Sequence, residues 1–185
     1  MPRHFTFLPD TYETPTVGTL RVQWANIPDR DALNVIAVEL QYLHFHTFLL
    51  TSIRHSANPG DAAIPLGLSL RAGALKSANL VCASIAEAAL RAHAERRRYP
   101  LHKDPQRRTF GNVLGAWQDP ATGQPLGEVV PIWPQLQLLR SGRNNIHLYK
   151  VVEEGGDFYD LLEAESRALS DNERLLETIR GIVSA

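Results

Sequence analysis

The chain has 185 residues, 44% of them apolar and 21% charged, with 19 basic against 20 acidic side chains for a net charge of −1. That length suits one domain with a real core, and the near-zero charge excludes a globally basic nucleic-acid binder while leaving room for a local basic patch. A single cysteine, Cys82, excludes an intrachain disulfide framework or a cysteine-built zinc site.

Residues 1–28 carry Pro2, Pro9, Pro15 and Pro28 among polar and aromatic residues. They predict an extended arm, with short β pieces near Phe5–Leu8 and Leu20–Trp24. No apolar signal-peptide core opens the chain, and no run of about 18 apolar residues predicts a membrane span. With one cysteine, a cytoplasmic setting is expected.

Asp29 can cap a first long helix, in which Ile36, Leu40, Leu43, Thr47 and Leu50 recur at three and four. Its other faces are apolar as well, with Val35, Val38, Tyr42, Phe45 and Phe48, which predicts a central helix. His44 and His46 stand two apart on it and point to different faces, unlike metal ligands. Pro59, Gly60 and Pro65 then break the pattern. A second helix runs from about Ser69 to Arg97. Its small residues, among them Ala74, Ala78, Ala83 and Ala86, let a neighbour approach closely.

The segment RRRYPLHKDPQRR carries Arg96, Arg97, Arg98, Lys103, Arg107 and Arg108 against one acid, Asp104. It is either a solvated loop and helix end or a phosphate-contacting patch. TFGNVLGAWQ is a short helix and DPATGQPLG a turn-rich loop. The third long helix spans EVVPIWPQLQLLRSGRNNIHLYKVV, with Pro131 and Pro134 tolerable in its first turns. After EEGGD, residues 157–185 form a last amphipathic helix. Four long helices predict an all-α, up-and-down four-helix bundle with an extra short helix, residues 29–185, preceded by the arm.

On a wheel of the third helix, Val129, Ile132, Trp133 and Leu136 share a sector with Arg140, Arg143, Asn144 and His147. A stripe that should face the core turns cationic. Either the helix stops at Ser141, with Gly142 as its C-terminal cap, or it continues and lines a cleft. Glu87 on the small-residue helix either pairs with Arg91 one turn on or reaches inward to Arg140 or Arg143.

RSGRNNIHLYK resembles the signature helix of the HEPN (higher eukaryotes and prokaryotes nucleotide-binding) superfamily: an Arg, six residues, then His, with the RNNIH string at 143–147. The Ala-rich helix before it and the acidic amphipathic helix after it are similar to that family's too. The resemblance covers about residues 29–185 and leaves the arm and the 100–127 segment aside. It implies a metal-independent endoribonuclease of a defence or toxin–antitoxin system, or else a non-catalytic HEPN-like module that binds nucleotide, RNA or a partner protein. By resemblance, His147 is the general base or acid at the RNA 2′-hydroxyl, Arg140 stabilises charge on the phosphate and Asn144 orients the phosphate or His147. Arg143 fits the same face as Arg140. Arg97, Arg98, Lys103, Arg107 and Arg108 are the expected RNA contacts. The family's composite sites imply a homodimer, with a cognate antitoxin as a further partner and neither metal nor cofactor.

Overall fold

The computed structural model describes residues 4–7, 13–56, 64–65, 68–144 and 158–182. The fold is all-α. Among the described residues its helices are α1 (Val17–Gln23), α2 (Arg30–Ser52), α3 (Leu68–Arg96), α4 (Phe110–Ala116), α5 (Trp133–Asn144) and α6 (Phe158–Arg180). A small antiparallel sheet of order β1-β2-β3 joins His4–Phe7, Ile53–Ser56 and Ile64–Pro65, with Phe7 opposite Ile53 and Arg54 opposite Pro65.

The expected β piece near Phe5 is present as β1, but the one over Leu20–Trp24 is not: that stretch belongs to α1 and its cap. The hydroxyl of Thr16 accepts from the Thr19 amide at 3.1 Å, which satisfies one of the first-turn donors and starts a helix. Leu20, Trp24 and Ile27 are then buried in the main core, and the Asn26 amide donates to the Ile182 carbonyl at 2.7 Å. Residues 17–27 thus pack into the helical body instead of reaching away from it.

α2 starts where expected, with the Asp29 carboxylate accepting from the Ala32 amide at 2.7 Å. It is not the central helix. Val35, Val38, Tyr42 and Phe45 are roughly half exposed along one face. The centre is α3, which packs against α2, α4, α5 and α6. Side-chain size explains the exchange. Ala78, Ala83, Ala86, Ala89, Ala92 and Ala94 are all buried on α3, and a helix without bulk can be approached from every side. α6 closes one flank through Leu169, Leu175, Leu176 and Ile179, and a partly buried hydrogen bond of 2.9 Å runs from the Asn172 amide to Asn79 on α3. Cys82 lies in this contact. Burial first, and then the Glu173 carboxylate, push its thiol up to about 12, against a smaller opposing backbone hydrogen bond, so it is inert as a nucleophile.

α4 buries Phe110, Val113 and Leu114, and Trp117 just beyond it. The Trp117 indole N–H donates to the Leu90 carbonyl of α3 at 3.1 Å, which gives the buried ring a partner for its one polar atom. This ties the 97–127 segment to the central helix.

Candidate functional site

The third predicted helix does not open as an α-helix. Gly127–Ile132 is a 3-10 turn containing Pro131, and α5 begins at Trp133 with Pro134 in its first turn. Proline fits there because the first-turn amides lack acceptors anyway. Val129, Ile132 and Leu136 are buried, as the wheel requires. The helix then passes through Ser141, Gly142 and Arg143 to Asn144. Gly142 is not a C-terminal cap: the described glycines with positive φ are Gly123 and Gly127. Of the two ways to read the polar end of the stripe, the continuing helix is therefore the observed one, as far as Asn144. The Asn144 side chain, His147, Tyr149 and Lys150 lie outside the described residues.

The two arginines of this face have different neighbours. Arg143 forms an ion pair with Glu87 of α3, and both groups are partly buried. Glu87 therefore does not pair with Arg91, which instead binds Glu95 at 3.0 Å. Around the Glu87–Arg143 pair, α2 and α3 leave a groove of about 590 Å³, floored by Ala32, Ala88 and Ala92 and rimmed by Asp29, Asp31 and Glu95.

Arg140 is exposed and lies against α4. A Cβ on Gly111 would stand 3.1 Å from Cζ, Nε and Nη2 of Arg140, so the guanidinium covers the bare backbone of that glycine. Among the described residues Arg140 has no ion-pair partner. One arginine of the face is thus neutralised and held, while the other lies exposed against α4.

Nothing among family models, curated proteins or solved structures matches the chain. Its chemistry is read from its own residues.

The basic segment divides in the same way. Arg97 donates to both Glu128 oxygens, at 2.6 and 2.7 Å, and stacks with its Cζ 5.1 Å from the Trp117 ring centre. Its side chain is only 11% exposed, so it works as a structural clamp on the start of the α5 segment. Arg108 donates to Glu95 at 2.7 Å and to the His102 carbonyl at 2.8 Å. Arg96, Arg98, Lys103 and Arg107 remain exposed, with Asp104 3.9 Å from Arg107. Of the five residues expected to contact RNA in this segment, three therefore present their charge outward: Arg98, Lys103 and Arg107.

Beneath the clamp lies His93, fully buried. Burial first, then the neighbouring Arg97 guanidinium, bring its imidazole down to about 4, with Glu128 opposing. Glu128 itself is held down at about 2, chiefly by its hydrogen bonds from Arg97. On α2, His44 is exposed and His46 buried edge-on to Tyr42, with ring centres 4.3 Å apart; burial lowers the His46 imidazole as well.

Sequence reasoning missed Gly111 and Glu128. Both carry a signal in retrospect. Gly111 and Gly115 are four apart in a short helix, which makes a bare strip, and Glu128 stands between a glycine and a run of valines where a lone carboxylate needs a partner.

Proposed function

We propose that the chain is a HEPN-type endoribonuclease that cleaves RNA through attack of the 2′-oxygen on the adjacent phosphorus. The 5′-oxygen leaves, and a 2′,3′-cyclic phosphate and a 5′-hydroxyl result. His147 moves the proton at the 2′-hydroxyl, Asn144 orients the phosphate, and Arg140 donates to the oxygens on which charge develops. The observation that carries this reading is the unbroken course of α5 past Gly142, with Arg140 exposed and Arg143 held by Glu87. It supports Arg140 over Arg143 as the cation for the phosphate, because a guanidinium already paired with a carboxylate has less to offer an anion. One imidazole and one arginine make a thin site. We place the complete one across a homodimer in which two copies of the α5 face meet, in a cytoplasmic defence or toxin–antitoxin role with a cognate antitoxin protein as the other partner.

A second reading is favoured by one observation: Arg97 and Arg108 are spent on Glu128 and Glu95, and the groove around Arg143 is rimmed by carboxylates. A site so neutralised suits a non-catalytic HEPN-like module that binds a nucleotide, an RNA or a partner protein.

The test is incubation of the purified protein with a mixed RNA pool in EDTA, beside His147→Ala and Arg140→Ala. Cleavage ending in cyclic phosphates and lost in both variants is the expected result. Binding without cleavage, weakened by Arg140→Ala, selects the module. Neither binding nor cleavage overturns both.

A further inference from the structure

A cleft of about 280 Å³ lies between the 100–102 segment and α4, with Pro100 and His102 on one wall and Gly111, Asn112 and Gly115 on the other. It sits in the part of the chain that the family resemblance leaves aside. Its floor is unusual. Gly111 and Gly115 are one helical turn apart on the same face, and the backbone is bare at Gly115, where a planar ring can lie, while the Arg140 guanidinium covers Gly111. A Cβ at Gly115 would meet nothing within 4 Å, so the cleft is open above it. At Gly111 the strip ends under the Arg140 guanidinium.

The cleft also carries polar groups. The His102 Nδ1 stands 3.1 Å from the Asp104 amide and 3.2 Å from the Asp104 carbonyl, so its tautomer, and with it the donor or acceptor role of Nε2, can follow the ligand. Asn112 donates its amide N–H to the Arg107 carbonyl, and its Oδ1 accepts from no described residue. An imidazole that can donate or accept and an amide oxygen that accepts therefore line the slot. Outside it, Lys103 and Arg107 are exposed, the Arg107 side chain at 74%. Open floor, polar groups at its edge and a cationic rim match the three parts of a nucleotide: the ring face, the base edge and the phosphate.

We infer that this cleft is a nucleotide subsite in which one base of a single-stranded RNA lies over Gly115, beside the guanidinium that covers Gly111, its phosphate directed to Arg140. This rests on the RNA-directed reading of α5 and extends it, since it sets the nucleotide beside the one whose phosphate is attacked. Arg140 is the shared element. It reaches from the α5 face to the edge of the cleft, so the RNA path runs from α5 across α4 towards Lys103 and Arg107. The groove rimmed by Asp29, Asp31 and Glu95 lies off that path.

The test uses the full chain carrying His147→Ala, so that RNA stays intact, with and without Gly115→Leu. The leucine extends into the slot from a Cβ that meets nothing within 4 Å, and it raises helix propensity, so the fold is retained. Anisotropy of a short fluorescein-labelled single-stranded RNA is expected to show about tenfold weaker binding in the Gly115→Leu protein, the scale of losing one stacked base. The melting temperature should be unchanged or higher, and AMP and UMP should compete in the parent only. Equal affinity in the two proteins, or no RNA binding by the parent, overturns the subsite. The nuclease is scored separately, by cleavage in EDTA with His147 present. Cleavage dependent on His147 but indifferent to Gly115→Leu keeps the nuclease and removes the cleft. Binding lost with Gly115→Leu, in a protein that cleaves nothing, keeps the cleft and removes the nuclease.

Discussion

Glu87 on the central helix holds Arg143 on α5, 56 residues further along the chain, and so fixes the second arginine of a face that carries two. The pair is partly buried, with side chains 18% and 35% exposed, so it contributes more than a surface pair and less than one sealed from water. Glu87→Gln should cost about 1–2 kcal/mol, with Arg143→Gln similar. The double variant should lose less than the sum, giving a coupling of about 1 kcal/mol by chemical denaturation. Strict additivity would show that the two groups do not act on each other.

The contact of Arg140 with Gly111 separates stability from function. Gly111→Ala adds one methyl where the guanidinium now lies, 3.1 Å from three of its atoms, so Arg140 must move by a few tenths of an ångström or more. The same change improves helix propensity by about 1 kcal/mol. The expected variant melts at the same temperature or higher and cleaves or binds RNA several-fold less well. A variant that melts lower, or one with RNA affinity and cleavage intact, argues that Arg140 has no fixed position to lose.

Much of this was legible in the sequence, and the failures have physical causes. The start of the first long helix at Asp29, the end of the alanine-rich helix within a residue of the expected Arg97 and the short α4 follow from caps and apolar spacing, while the break at Pro59 lies outside the described residues. The choice of α2 as the central helix failed because hydrophobicity was weighed without size. α2 has the bulk, but α3 has the alanines, and close approach on several sides needs the latter. The strand expected at Leu20–Trp24 failed because Thr16 was not recognised as a cap. At the site, periodicity put Arg140 and Arg143 on one face. It did not reveal that they face different helices, because that depends on where Glu87 and Gly111 stand in space. Charge counting over 96–108 likewise missed that Glu128 and Glu95, both outside that segment, absorb Arg97 and Arg108.

Arg98 ends α3 in a left-handed conformation, with φ 58°. Its amide bonds to the Glu95 carbonyl at 3.1 Å and that of Tyr99 to the Ala94 carbonyl at 2.9 Å, the paired closure in which glycine is the usual residue. The arginine side chain strains that backbone. Arg98→Gly should therefore stabilise the protein by up to about 1 kcal/mol, seen as a higher melting temperature. If Arg98 also contacts RNA, the same variant binds it more weakly. A loss of stability would show that its side chain makes a packing contact worth more than the strain.

The division of the basic segment predicts opposite outcomes for its members. Arg97→Met removes a bidentate partner from Glu128 and a cation from the Trp117 face, and should cost about 2–3 kcal/mol of stability. Lys103→Gln with Arg107→Gln should leave the melting temperature unchanged. It should weaken RNA binding across sequences and lower the slope of log affinity against log salt by about 1.4, as two phosphate contacts to a single strand require. An unaltered slope would remove both residues from the RNA path.

Acid should unfold the protein in two stages, because His93 and Glu128 titrate in different windows. The His93 imidazole is at about 4 when folded and near its ordinary 6.5 when unfolded. Between those values the unfolded chain binds the extra proton, so stability falls as pH drops from 6.5 and this loss is complete near 4. Its full size is on the order of 3 kcal/mol, since the ring is wholly buried. Glu128 has the opposite protonation chemistry but the same sign. Its carboxyl is held at about 2 by Arg97 against an ordinary 4.5, so its contribution is intact above 4.5 and is lost as pH falls towards 2. Chemical denaturation followed from pH 7 to 3 should show a first decline in stability above pH 4 and a second below it. His93→Gln should remove most of the first decline, the remainder belonging to the buried His46, and leave the second. A stability profile flat from pH 7 to 4 in the parent protein would show that His93 is not held neutral beneath the Arg97–Glu128 clamp.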